Sequence, residues 1–225
     1  MPGKHKWKST LINSHFLIYD YETGGRDEFT TEPIEIGAIV ADCRTLELKE
    51  GAEFHSLIKP TDWSLVHDDA LQKNKITREE LLEAPEQEKV FQQFFQFARQ
   101  FQRSDKKWDA LIPCGFNINK FDNIISKRMC KKYNYIDKDG DNLLLHPFHT
   151  FDLFDIIRLW FENTDELNNY NLDALRDYFG ISKEGSHRAL VDVYDTWKLL
   201  KRFLQMYRSW APKKLSEFKG YFADE

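Results

Sequence analysis

The stretch FLIYDYETGG, Phe16 to Gly25, decides how the rest of the chain is read. It is apolar but too short for a helix, and Thr23-Gly24-Gly25 closes it, so the spacing predicts a strand. Side chains alternate along a strand, which places Phe16, Ile18, Asp20 and Glu22 on one face and Leu17, Tyr19 and Tyr21 on the other. Apolar residues on both faces mark a central strand covered from both sides. Asp20 and Glu22 then stand roughly 6 to 7 Å apart at its end. Two ionised carboxylates there repel each other and lose hydration unless a cation or hydrogen bonds compensate. A divalent metal is the economical compensation, and an open, solvated strand end is the alternative.

Outward from this strand, Pro33 to Ala41, Thr45 to Leu48 and Phe54 to Ile58 read as two or three antiparallel strands. Thr77-Arg-Glu-Glu carries a capping box opening a short helix before Pro85, and an amphipathic helix follows over Glu88 to Phe101. Leu111 to Phe116 is a strand feeding a helix from Lys120 to Tyr133, with Phe121, Ile124, Ile125 and Met129 on one side. Helical patterns cover Thr150 to Glu162, Leu172 to Tyr178 and Ser186 to Tyr207, and Pro212 starts one last short helix. In Asp137-Lys-Asp139-Gly-Asp141 the Gly falls at the fourth position and Phe148 stands where a calcium loop needs its bidentate Glu, so a surface turn is expected.

With 225 residues and no linker or repeat, one domain over residues 15 to 208 is expected, between a basic, flexible segment 1 to 14 and a tail 209 to 225. Acidic residues number 37 against 32 basic, so any grip on nucleic acid must be local, which excludes a histone-like binder. Cys43, Cys114 and Cys130 form no C-x-x-C pair, which speaks against a disulfide framework or zinc site and for a reducing compartment. No apolar run approaches the ~18 residues of a membrane span. The expectation is a soluble, cytoplasmic protein without a membrane partner.

Three further residues stand out. Asp122 lies near the start of a helix that follows a strand, where the dipole favours a carboxylate, although taken alone it reads as ordinary first-turn charge. Asp192 lies on a helical stripe continued by Thr196, Leu199 and Phe203, and an acid so aligned needs a partner. Five helical steps rotate by about 140°, so His187 shares a site with Asp192 only from the helix entrance, where Gly185-Ser186 offers a flexible turn and an N-cap.

In order along the chain, FLIYDYETGG with PIEIGAIV (Pro33 to Val40), CGFNINKFD (Cys114 to Asp122) and SHRALVDVYDT (Ser186 to Thr196) resemble the DEDDh branch of the DnaQ-like 3′ to 5′ exonuclease superfamily. NKITREELLEAP (Asn74 to Pro85) is similar to another family segment, with Asn74 where members often carry His. The resemblance implies an RNase H-like α/β fold, a mixed five-stranded sheet flanked by helices. It makes Asp20, Glu22, Asp122 and Asp192 the metal-site acids and His187 the general base. On this reading two divalent ions, Mg²⁺ with Mn²⁺ able to substitute, serve phosphodiester hydrolysis. Asp20 bridges them, Glu22 and Asp192 hold the ion that binds the attacking water, and Asp122 supports the second, largely through water. His187 removes the water's proton when neutral, so activity falls at acid pH.

Backbone N–H groups at Thr23 and Gly24 are expected to contact the terminal nucleotide, with Asn74, Phe116 and Asn117 beside it. Core packing is the alternative for Phe116. Lys127, Arg128, Lys131 and Lys132 form either a phosphate-tracking patch or a solvated helix face. Lys213, Lys214, Trp210 and Tyr221 pose the same choice in the tail. The leading expectation is an exonuclease releasing mononucleotides from a 3′ end, DNA favoured over RNA, with a polymerase or a replication or repair protein as a further partner. An exoribonuclease and a catalytically silent binding module are the alternatives.

Overall fold

In the computed structural model, which describes residues 13 to 210, the stretch around Asp20 is β1 (His15–Thr23), the middle strand of a sheet. On one edge it pairs antiparallel with β2 (Pro33–Asp42), which pairs antiparallel with β3 (Leu48–Leu57). On the other it pairs parallel with β4 (Ile112–Gly115), which pairs parallel with a two-residue β5 (Phe151–Asp152). The order β3-β2-β1-β4-β5 is the mixed, five-stranded sheet expected from the sequence. Expectations for residues 1 to 12 and 211 to 225, and for the Trp210 side chain, fall outside the described residues.

Seven α-helices lie among the described residues: α1 (Asp68–Asn74), α2 (Arg78–Glu83), α3 (Gln87–Gln100), α4 (Asp122–Lys132), α5 (Leu153–Phe161), α6 (Leu172–Phe179) and α7 (Ala189–Trp210). The alternation in β1 sorts them into two layers. Leu17, Tyr19 and Tyr21 pack with Phe91 and Phe94 of α3 and Ile125 and Met129 of α4. Phe16 and Ile18 pack with Leu153 and Ile157 of α5 and Val193, Leu199, Leu200 and Phe203 of α7. Among the described residues, no helix is long and apolar enough to cross a membrane.

Local chemistry sets the boundaries. The Thr77 hydroxyl accepts from the Glu80 N–H at 3.2 Å while the Glu80 carboxylate accepts from the Thr77 N–H at 2.7 Å, which is the expected capping box of α2. Thr45 to Leu48 is not a separate strand: Asp42 Oδ1 accepts from the N–H groups of Arg44 and Thr45, Leu46 is left-handed, and β3 runs unbroken from Leu48. The expected helix from Thr150 starts only at Leu153, because Phe151 and Asp152 pair with Cys114 and Gly115. Asp137 to Asp141 is a turn whose carboxylates close on the Lys107 ammonium, with Asp137 at 2.9 Å and Asp141 at 2.5 Å. A cation of the chain itself thus partly offsets the charge of the acidic loop.

The approach of α7 to the sheet places the site. Gly37 lies across from Asp20 on β2, and a Cβ there would meet the Leu190 nitrogen at 2.5 Å and the Ala189 carbonyl carbon at 2.6 Å. Only a residue without a side chain lets the first turn of α7 rest on the strand beside Asp20. Gly37→Ala is therefore expected to cost about 1 to 3 kcal/mol or more by overpacking against backbone that cannot yield. Urea denaturation checks this, and an unchanged midpoint refutes the tight approach.

Candidate active site

At the end of β1, half-buried Asp20 and buried Glu22 meet Asp192, which enters from the first turn of α7. One carboxylate oxygen from each lies within 4.8 Å of the others. The fourth expected acid, Asp122, is buried at the start of α4 and stands outside that triangle. Its Oδ1 accepts the Tyr21 N–H at 2.9 Å, so α4 is tied to the strand that carries Asp20 and Glu22. Tyr19 Oη adds a second tie, donating to Asn123 Oδ1 at 2.6 Å.

These acids disturb one another as buried like charges must. Burial and then the charges of Asp122, Glu22 and Asp192 raise the Asp20 carboxyl well above the usual range. Burial, with Asp192 and Glu35 behind it, pushes Glu22 up to about 8, against the opposing charge of Lys73. Burial takes Asp122 up to about 7 despite the N–H from Tyr21. Asp192 is also raised by burial, while Arg176 pulls it back.

His187 stands at the entrance of α7. Gly185 and His187 are both left-handed, with φ of 76° and 64°, so the helix body begins only at Ala189. The His187 N–H points to Asp192 Oδ1 at 3.2 Å, and its Nε2 lies 3.3 Å from Asp173 Oδ2. Ser186 does not supply the expected N-cap. The Ala189 N–H donates instead to Glu35 Oε2 at 3.1 Å, a carboxylate from the neighbouring strand.

Glu35 is fully buried and stands on β2 directly opposite Glu22 of β1. It also accepts from Arg188 Nη2 at 2.7 Å and meets His55 Nε2 at 2.7 Å. Burial pushes its carboxyl up, but hydrogen bonds from His55, Arg188 and Ala189 outweigh that and lower it. The visible signal was a single acid inside the apolar run PIEIGAIV. Arg176 was missed as well: its guanidinium is wholly buried and touches Asp173, Asp192 and Asp195.

Beside the acids lies a cleft of about 890 Å³ lined by Glu22, Thr23, Gly25, Arg26, Lys73, Asn74 and Phe121, among others. Thr23 and Asn74 line it as expected, yet the Asn74 amide donates to the Thr23 carbonyl at 3.2 Å and so braces the strand end. The Gly24 N–H does not face the cleft, because it donates to the Glu32 carbonyl at 2.9 Å. Phe116 and Asn117 are not among its walls. Phe116 packs edge-on against Phe154, the Asn117 N–H donates to Asp152 at 2.8 Å, and Phe121 takes the aromatic place in the cleft. The basic face of α4 is partly structural: Arg128 grips the carbonyls of Glu28 and Thr31, and Lys132 reaches Thr61 and Gln87.

Comparison with known proteins identifies the family and the fold. Residues 17–200 match the family described as Exonuclease (RNase_T). Exodeoxyribonuclease I of Escherichia coli K12 is 27% identical over 200 residues, covering 84% of this chain and 39% of that protein. A PolC-type DNA polymerase III of Thermotoga petrophila is 27% identical over 215 residues, covering 95% of this chain and 14% of the relative. The chain thus spans well under half the length of these curated relatives. The crystal structure of E. coli Exonuclease I in complex with a dT13 oligonucleotide superposes with a TM-score of 0.69 at 22% identity, over 87% of this chain and 43% of that one, which establishes a shared fold. Most of the sequence and the whole sheet thus lead to one conclusion: the chain belongs to the exonuclease family, within the DnaQ-like 3′ to 5′ exonuclease superfamily.

Proposed function

We propose that this chain is a metal-dependent exonuclease that removes nucleoside monophosphates from the 3′ end of DNA. The observation that carries the reading is the convergence of Asp20, Glu22 and Asp192 within 4.8 Å, where burial and mutual repulsion raise the Asp20 and Glu22 carboxyls. The donors are all hard carboxylate oxygens, which suit Mg²⁺ and Mn²⁺ rather than a thiophilic metal. Asp20, Glu22 and Asp192 would hold one cation, and Asp122, whose charge acts on Asp20, would support a second. When bound, such ions stabilise negative charge on the attacked phosphate and on the leaving 3′ oxygen.

The chain's own residues do the rest. His187, outside the body of α7, takes the proton from the attacking water at an imidazole nitrogen, and Asp192 holds its backbone N–H. The cleft beside Glu22 receives the terminal nucleotide, with Phe121 as an apolar wall and Lys73 and Arg26 as cations near its phosphates. A DNA substrate is supported by the names of the relatives, an exodeoxyribonuclease and a DNA polymerase, and the latter also supports a polymerase as partner.

Labelled single-stranded DNA, duplex DNA and RNA, each incubated with Mg²⁺ or EDTA, test the reading. A ladder shortening from the 3′ end of DNA, absent with EDTA, is expected. Asp20→Asn should lower the rate at least about 1000-fold, and His187→Ala about 100- to 10,000-fold. Degradation of RNA alone would make the enzyme an exoribonuclease, and no ladder in any lane would make it a silent module.

The acids also link cation binding to pH. A carboxyl raised on folding stabilises the fold below its unfolded value and loses that contribution as pH climbs through its folded value, here about 8 for Glu22 and about 7 for Asp122. Without metal these groups therefore weaken the fold between about pH 4 and 8. Millimolar Mg²⁺ is expected to raise the melting temperature more at pH 8.5 than at pH 6. Asp20→Asn should melt higher than the wild type at pH 8.5 in EDTA. Equal Mg²⁺ effects at both pH values would refute the linkage.

A further inference from the structure

The acid cluster is not carried by the strand alone. Arg176, on α6, is wholly buried, and its three donor positions are divided among three carboxylates. Nη2 donates to Asp192 Oδ1 at 2.7 Å, Nη1 to Asp173 Oδ1 at 2.9 Å and Nε to Asp195 Oδ2 at 2.9 Å. Two of those partners belong to the site. Asp192 is one of the three converging acids, and Asp173 uses its other oxygen, Oδ2, to meet His187 Nε2 at 3.3 Å. One rigid, planar cation thus touches an acid of the cluster directly and the imidazole through a single carboxylate.

An aspartate carboxylate turns easily about its broad terminal torsion, and a buried one beside two others turns away from them unless held. With Oδ1 engaged by the guanidinium and by the His187 N–H, Asp192 has only its second oxygen left to present to Asp20 and Glu22. A base oriented by a third, fixed group is a recurring device for setting the angle of a proton transfer. Asp195 fills the third side of the guanidinium and takes Lys198 as well, which keeps the charge balanced away from the site.

We infer that Arg176 is a positioning residue, which presents Asp192 to the divalent cation and, through Asp173, aims His187 at the water it deprotonates. This rests on the metal-dependent reading above. Groups that orient a metal ligand from behind usually change affinity or activity by about 10- to 100-fold when altered.

The test uses the full chain, with Mn²⁺ binding measured calorimetrically in the absence of substrate and turnover measured on a single-stranded DNA oligonucleotide at saturating Mg²⁺. Arg176→Lys keeps the charge but replaces three donors fixed in one plane by a compact ammonium that does not reproduce their directions. It is expected to weaken Mn²⁺ binding about 10- to 100-fold and to lower kcat. Asp195→Asn still accepts from Nε and should leave both unchanged. Asp173→Ala, at a part-exposed position, should lower kcat about 10-fold or more with Mn²⁺ affinity intact. A folded Arg176→Lys with wild-type Mn²⁺ affinity overturns the inference, as does Asp195→Asn losing as much affinity as Arg176→Lys. Should Arg176→Lys fail to fold, Asp173→Ala with wild-type kcat overturns it. If the wild type degrades no nucleic acid, the functional reading falls, and the Mn²⁺ affinities alone decide the role of Arg176.

Discussion

Like charges held together in a half-buried pocket are the constraint on which this structure depends. Asp20, Glu22 and Asp192 present oxygens within 4.8 Å of one another, and Asp122 adds its charge from the next helix. Left alone, four such groups would separate or take up protons, and their raised carboxyl pKa values express that tendency. Much of the surrounding architecture reads as what keeps them in place. β1 is clamped between two strands, Asp122 is tied to the Tyr21 N–H, and α7 is brought down onto Gly37. A site that strains against its own charge is common where function, rather than stability, has set the arrangement.

The anchoring uses carboxylate and guanidinium groups that never face the cleft. Glu35 caps α7 from the neighbouring strand and holds Arg188, so the entrance that carries His187 is fixed to β2. Arg176 fixes the same helix from α6. Two ionic clusters, one around Glu35 and one around Arg176, thus hold the first turns of α7. Breaking a buried cluster of this kind by removing one partner leaves the other charge unmatched, which costs far more than the net worth of the pair.

Legibility in the sequence followed how local the determining physics was. The alternation of FLIYDYE placed β1, both its faces and its two acids, because the period of a strand is a property of a few residues. The stripe through Asp192 placed that acid on α7, and the five-residue offset put His187 at the entrance. Less legible was whatever depended on a distant partner. β5 is two residues long and exists only through its pairing with Cys114 and Gly115, so its sequence reads as the start of α5. The cap of α7 comes from Glu35, 154 positions away, and not from the adjacent Ser186. Arg176 in LDALRDYF has the look of a surface helix cation, and only the packing of α6 against α7 buries it. Gly24 was misplaced for the same reason, since the Glu32 carbonyl takes its N–H, whereas Phe116 adopts the core packing that stood as its alternative.

The central claim is that these acids are gathered to hold divalent cations. Crystals grown with Mn²⁺ and a short DNA strand, measured at the manganese edge, address it most directly. The account predicts anomalous density among Asp20, Glu22 and Asp192, with a second peak on the Asp122 side of Asp20. Well-ordered crystals without anomalous density at these carboxylates, or with manganese only elsewhere on the molecule, would contradict it.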